Sequence, residues 1–267
     1  MNDGTPTDPA ELRTLAVELA RAGGDLALTG RRARTVAVAA TKSSHTDLVT
    51  EFDRAAEKLI VDELHRRRPA DAVVGEEGAA RGGGSGYEWF IDPIDGTTNY
   101  VYGLPTWSTS VGVTLDGAPV AGAVYLPVPG QLYAAHRGGG ATLDDAPIRC
   151  SDCVDLALAL VATGFGYDES VRRAQADRVA AIIGEFRDIR RFGSAAIDLC
   201  HVASGRVDVY FEEHLNPWDA VAGLVIAEEA GCITSDLGGG PVRPESLVAA
   251  APGVHASFID LLGRARS

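Results

Sequence analysis

The stretch Trp89-Phe90-Ile91-Asp92-Pro93-Ile94-Asp95-Gly96-Thr97-Thr98-Asn99-Tyr100 decides how this chain is read. Large apolar residues from Tyr87 to Ile91 mark a buried strand, and that strand ends in an aspartate. Pro93 fixes one backbone torsion before a second aspartate arrives, so the turn can aim both carboxylates and the Ile94 carbonyl at one point. Hard cations such as magnesium want oxygen ligands in octahedral geometry and retain water, which suits carboxylates on a rigid strand end. Gly96 lets the backbone approach a ligand closely, and Thr97-Thr98 can open a short helix whose free N–H groups cradle phosphate oxygens. Asp-Pro, Asp-Gly and Thr-Thr are ordinary turn and cap formers taken singly. It is their succession that points to chemistry.

Upstream, Ala72-Val73-Val74-Gly75 reads as a short buried strand that delivers Glu76-Glu77 at its end. A helix is predicted before it, from Leu48 to Arg68, with Val49, Phe52, Ala56, Leu59, Ile60 and Leu64 at helical spacing and Pro69 as its stop. Asp47 lies at its N-terminal edge. An earlier helix starts with Asp8 as cap and Pro9 in the first turn, and Leu12, Leu15, Ala16 and Leu19 form its apolar face.

Downstream, Trp107 to Leu115, Val120 to Leu126 and Gln131 to Ala135 are punctuated like an antiparallel meander. After Gly138-Gly139-Gly140 strands and helices alternate: Leu156 to Thr163, a helix from Val171 to Ile183, Ala195 to Ala203, a strand Val207 to Glu212 and a helix Trp218 to Ala230. Further strands are predicted near Cys232 to Ser235 and from Leu247 to Ala250. The expectation is one domain over 1–267 made of two halves: 1–140, α+β with the metal site, and 141–267, α/β, completing the metal and substrate sites. A further carboxylate belongs to Asn216-Pro217-Trp218-Asp219-Ala220-Val221-Ala222-Gly223, in the first turn of an alanine-rich helix. By itself Asp219 reads as helix-dipole compensation.

Composition narrows the partners. With 267 residues, 46% of them hydrophobic and only 6% aromatic, the chain can bury a substantial core built from small aliphatic side chains. A net charge of −13 argues against direct binding of nucleic acid or a membrane surface, both polyanions. Arg66-Arg67-Arg68 and Arg190-Arg191 are too short to alter that. A phosphate substrate stays compatible if bound cations reverse the local sign. The first residues have neither a basic nor an apolar signal region, and Leu156 to Ala162, the longest apolar run, cannot span a bilayer, so a cytoplasmic location is expected. Cys150 and Cys153 form a C-x-x-C pair without a second pair, and all four cysteines, with Cys200 and Cys232, read as structural.

Glu76, the Asp92–Tyr100 stretch and the Trp218-Asp219 helix together resemble, in order and spacing, the signature of the inositol monophosphatase family, from Lys42 to the end of the last helix. The resemblance implies a layered α-β-α-β-α sandwich of the inositol monophosphatase and fructose-1,6-bisphosphatase type. It implies that Glu76, Asp92, Asp95, Asp219 and the Ile94 carbonyl hold two or three magnesium ions, and that Asp47, Glu76 and Thr97 are catalytic. In that scheme Thr97 and Asp47 orient and deprotonate the attacking water. Gly96 and Thr97 would bind phosphate through their backbone, while Ser194, Ala195 and Glu212, helped by Asp95 and Asp219, would hold the polyol.

The implied reaction is metal-assisted hydrolysis of a small phosphate monoester, inositol 1-phosphate first, by a lithium-sensitive homodimer. Fructose 1,6-bisphosphate, histidinol phosphate and 3′-phosphoadenosine nucleotides are the alternative substrates within the family. Some bacterial relatives act instead as partners of the transcription or ribosomal RNA processing machinery, a secondary role for this chain. Tyr100, Tyr102-Gly103 and Cys232 depart from the commoner family residues, and none removes a ligand. A haloacid-dehalogenase-type loop reads Asp-x-Asp-Gly-Thr, whereas here Pro93 and Ile94 both separate the aspartates, which would misplace the acid relative to the nucleophile.

Overall fold

The computed structural model describes residues 7–33, 38–41 and 48–265. Helix α1 (Pro9–Ala33) begins where Asp8 Oδ1 accepts the Ala10 N–H at 2.9 Å, and it buries Leu12, Leu15, Ala16 and Leu19 as predicted. Strands β1 (Val38–Thr41) and β2 (Leu48–Thr50) pair antiparallel. The helix expected from Leu48 therefore starts later, as α2 (Glu51–Arg67). The reason is a capping box: Thr50 Oγ1 accepts from the N–H groups of Phe52 and Asp53, and Asp53 Oδ2 accepts the Thr50 N–H at 2.8 Å.

Then come β3 (Ala72–Gly75), β4 (Ala80–Arg81), β5 (Tyr87–Asp95), the short α3 (Thr97–Tyr102), β6 (Ser108–Leu115), β7 (Ala118–Leu126), β8 (Gln131–His136), β9 (Ala141–Leu143) and β10 (Ala146–Ile148). They build one eight-stranded sheet in the order β10-β9-β8-β7-β6-β5-β3-β4. The run Leu156 to Thr163 divides into a 3₁₀ turn at Leu156–Leu158, capped by Asp155, and β11 (Leu160–Thr163). The remaining elements are α4 (Glu169–Ile182), β12 (Asp188–Arg190), α5 (Ala195–Ala203), β13 (Val209–Glu213), α6 (Pro217–Glu229), β14 (Ile233–Ser235), β15 (Ser246–Ala250) and α7 (Pro252–Arg264). Their strands form a second sheet, β12-β11-β13-β15-β14.

Helices α1 and α2 cover one face of the large sheet, α5 and α6 fill the space between the sheets, and α7 covers the outer face of the small one. This is the five-layer α-β-α-β-α arrangement. Small residues make the middle layer thin: a methyl on Gly112 or Gly122 would come within 2.7 Å of the α6 backbone at Ala222. Helix α6 is thus pressed against β6 and β7, with its first turn beside the end of β5, where Ser110 Oγ donates to the Trp218 carbonyl at 3.3 Å. No helix among the described residues is long and apolar enough to cross a membrane.

Candidate active site

The geometry begins with an irregularity in β5. Asp92 pairs with Ser110 and Asp95 with Ser108 on β6, so the β5 side carries one extra residue between the two pairs. Side chains alternate faces along a regular strand, which would set residues 92 and 95 on opposite sides. The bulge at Pro93-Ile94 cancels that alternation and turns both carboxylates into one cavity of about 440 Å³. The expected turn is therefore a bulge inside the strand, tolerated because Pro93 has no N–H to leave unpaired.

Parallel pairing of β3 with β5 sets Gly75 against Ile91, and the Glu76 N–H donates to the Ile91 carbonyl at 3.1 Å. Glu76 is thereby brought beside Asp92, whose carboxyl its charge helps to raise. Asp219 arrives on the first turn of α6, held where the Asn216 N–H donates to its Oδ2 at 2.7 Å. Carboxylate oxygens of Asp92, Asp95 and Asp219 all lie within 4.8 Å of one another. Asp95 Oδ2 accepts from Ser194 Oγ at 2.6 Å and from the Ala196 N–H at 2.8 Å, which places that carboxylate at the N-terminus of α5.

Such crowding is costly without positive charge. Burial, then the neighbouring Glu76, Asp95 and Asp219, hold the Asp92 carboxyl well above the usual range, and Asp219 is raised by burial and by Asp95 and Glu76. Asp95 is pushed up to about 6 by burial, against the opposing hydrogen bonds from Ser194 and the α5 backbone. A set of converging carboxylates with a backbone carbonyl alongside is an all-oxygen donor set, which fits a hard divalent cation.

Beside this cluster Gly96, at φ 92°, caps α3, and a side chain there would meet the Gly193 and Thr106 carbonyls at 3.0 and 3.2 Å. Thr97 Oγ1 lies 3.0 Å from the Ile94 carbonyl and 3.3 Å from Asp53 Oδ1. Asp47 lies outside the described residues. The carboxylate at the Thr97 hydroxyl is Asp53, on α2, which sequence reasoning passed over. Burial pushes Asp53 up to about 6, with hydrogen bonds from Thr50 opposing and Glu77 and Glu76 adding to the rise.

The first half of the chain contributes Glu76, Asp92, Ile94, Asp95, Gly96 and Thr97 to the cavity wall, and the second half contributes Ser194, Ala195, Glu212 and Asp219. Glu212 is raised to about 7, mainly by burial, and accepts from the Tyr210 hydroxyl at 2.7 Å. Two further side chains reach this wall. Asp198 is buried with Oδ1 lacking a hydrogen-bond partner, and Arg191, read in the sequence only as half of a short basic pair, lines the cavity as an exposed cation. Asn99 braces the two sides, its amide donating to the carbonyls of Thr106 at 2.6 Å and Phe192 at 2.7 Å. The Tyr100 hydroxyl donates to the Ala27 carbonyl at 2.9 Å and so adds a tie to α1.

Known proteins resemble this chain over nearly its full length. The model of the inositol monophosphatase family matches residues 8–265. The chain is 41% identical to the inositol-1-monophosphatase of Mycobacterium leprae strain TN, over 96% of this chain and 95% of that protein. It is 39% identical to the Nus factor SuhB of Escherichia coli strain K12, over 85% of each. Among solved structures, Mycobacterium tuberculosis SuhB superposes with a TM-score of 0.84 at 39% identity, covering 97% of this chain and 98% of that one.

Proposed function

Because the chain belongs to the inositol monophosphatase family, we propose that it hydrolyses inositol 1-phosphate to inositol and inorganic phosphate with magnesium and water. The observation that carries this is the approach of Asp92, Asp95 and Asp219 oxygens to within 4.8 Å of one another, next to the Thr97 hydroxyl and its Asp53 partner. In this reading Glu76, Asp92, Asp95, Asp219 and the Ile94 carbonyl hold two or three magnesium ions in one undivided domain whose halves, 1–140 and 141–267, each supply ligands. What the bound ions supply is Lewis-acid chemistry: easier deprotonation of water and neutralisation of the phosphoryl and leaving oxygens.

The chain's own groups do the rest. Backbone N–H groups of Gly96 and Thr97 orient the phosphate. Thr97 Oγ1 accepts a proton from the attacking water while its own proton passes to Asp53, whose carboxylate is largely ionised at neutral pH. The new P–O bond forms as the ester P–O bond breaks on the opposite side, and its electron pair leaves with the inositol oxygen, which takes a proton from water while Asp53 returns its proton to solvent. Ser194, Ala195 and Glu212 hold the ring hydroxyls, with Asp95 and Asp219 at the near edge.

Phosphate release from inositol 1-phosphate, with magnesium and with a chelator, tests the reading. Fructose 1,6-bisphosphate and histidinol phosphate serve as competing substrates. Undiminished release in chelator would overturn the metal assignment, and a higher kcat/KM on a competitor would reassign the substrate. Lithium inhibition and a homodimer in the cytoplasm belong to the same proposal and are checked by inhibition kinetics and light scattering. A secondary role in transcription is favoured by the relative named a Nus factor. Recovery of RNA polymerase with an Asp95→Asn variant would support that role, and failure to recover it would remove it.

A further inference from the structure

Glu57 lies one helical turn beyond Asp53 on α2, so the two side chains leave the same face of the helix. It is only 5% exposed, although a buried carboxylate needs compensation. Its Oε2 accepts the Glu77 N–H at 2.7 Å and its Oε1 the Ala79 N–H at 3.0 Å. Both donors belong to the turn that opens with Glu76. The Gly75 N–H closes the same turn from the strand side, donating to the Ala79 carbonyl at 2.7 Å. A methyl group on Gly75 would sit 2.3 Å from Glu57 Oε2, so only glycine lets that carboxylate seat against the strand end.

Glu57 does not line the cavity that Glu76 lines. We infer that Glu57 is a positioning residue for the reaction: it clamps the 76–79 turn through two backbone N–H groups and thereby sets the Glu76 carboxylate to share a cation with Asp92. Charge-assisted bonds from a fixed carboxylate to backbone N–H groups are strong and directional, as such a clamp requires. The inference rests on the proposed cation site at Glu76 and adds the residue that holds this site in shape.

Calorimetric titration of the metal-free full-length protein with magnesium, alongside steady-state kinetics, tests it. Glu57→Gln keeps the size but turns an amide NH₂ toward one of the two N–H donors. Loss of an outer partner of a metal ligand commonly weakens affinity or activity by about 10–100-fold, and a weakening of about 10-fold or more in magnesium affinity is expected here. At saturating magnesium, KM for inositol 1-phosphate should change less than threefold, since Glu57 touches no substrate. Gly75→Ala leaves both carboxylates present but presses a methyl against Glu57, and the same loss of magnesium affinity is expected from it. That variant also covers the case in which Glu57→Gln fails to fold. Unaltered magnesium affinity in both variants would overturn the inference, and so would a lowered melting temperature with unchanged affinity, the mark of a merely structural role. Absence of magnesium binding by the unaltered protein would overturn the cation site itself, a distinguishable result.

Discussion

The Thr97 hydroxyl lies among groups with different tasks, which lets single substitutions separate them. Thr97→Ala removes the group proposed to pass on the water proton but leaves the carboxylate cluster whole. Turnover should therefore fall by about 10²-fold or more, the usual scale for a lost acid–base group, while calorimetric magnesium affinity stays nearly constant. Asp92→Asn acts the other way: turnover should be abolished, yet the metal-free protein should melt at the same or a higher temperature, because Asn keeps the shape of the acid without the ionised form that burial and its acidic neighbours disfavour. Activity equal to the parent in Asp92→Asn would contradict its place as a ligand. Asp53 marks the limit of what could be read at this scale. Its visible signal, a carboxylate in the Thr50-x-x-Asp53 capping box, is fully accounted for by helix capping. Only the folded chain reveals that its second oxygen meets Thr97, 44 positions on.

Secondary-structure elements act here as carriers whose placement sets the proposed ligands. Helix α6 brings Asp219 to the cavity only because β6 and β7 offer glycine where the helix backbone crosses. Gly122→Ala would drive a methyl to 2.7 Å from the Ala222 Cα, an overpacking that costs about 1–3 kcal/mol and shifts the first turn of α6. Denaturant unfolding should register the stability loss, and magnesium titration a parallel loss of affinity. Unchanged affinity would show that α6 adjusts without moving Asp219. The start of α5 matters for another reason: Ser194 Oγ accepts the Ile197 N–H at 3.2 Å while donating to Asp95. Ser194→Ala should cost about 1 kcal/mol of stability as a lost cap and, beyond that, lower turnover by loosening Asp95. The longer strands and helices were legible in advance and the short β1, β4, β9, β10 and β12 were not; the delayed start of α2 escaped because the apolar spacing of Val49 and Phe52 suits a strand followed by a cap as well as a helix.

Over the whole molecule the acids make stability depend on pH. Burial raises Asp53 and Asp95 to about 6 and Glu212 to about 7, above the values of an unfolded chain. Between the unfolded and folded values the native state binds more protons, so this stabilising contribution is complete below about pH 4 and fades as pH rises through about 6–7. The metal-free protein should accordingly lose melting temperature between about pH 5 and about pH 8, and magnesium should flatten the decline by replacing protons as the compensating charge. Thermal melts in chelator and in magnesium measure both, and a metal-free protein that gains stability over that interval would contradict the electrostatic account.

Local order alone determined the strand that carries Asp92, the glycine after Asp95, the helix bearing Asp219 and the family to which these belong, since backbone torsions and apolar periodicity act over neighbouring residues. Tertiary structure decided the rest. It decided that a bulge, not a turn, faces Asp92 and Asp95 the same way, that Asp53 reaches Thr97, that Glu57 holds the turn after Glu76, and that Arg191 and Asp198 line the cavity. Each of these depends on strand register or helix packing between segments far apart in the chain, and no periodicity within a single segment encodes which side chains of another will meet it.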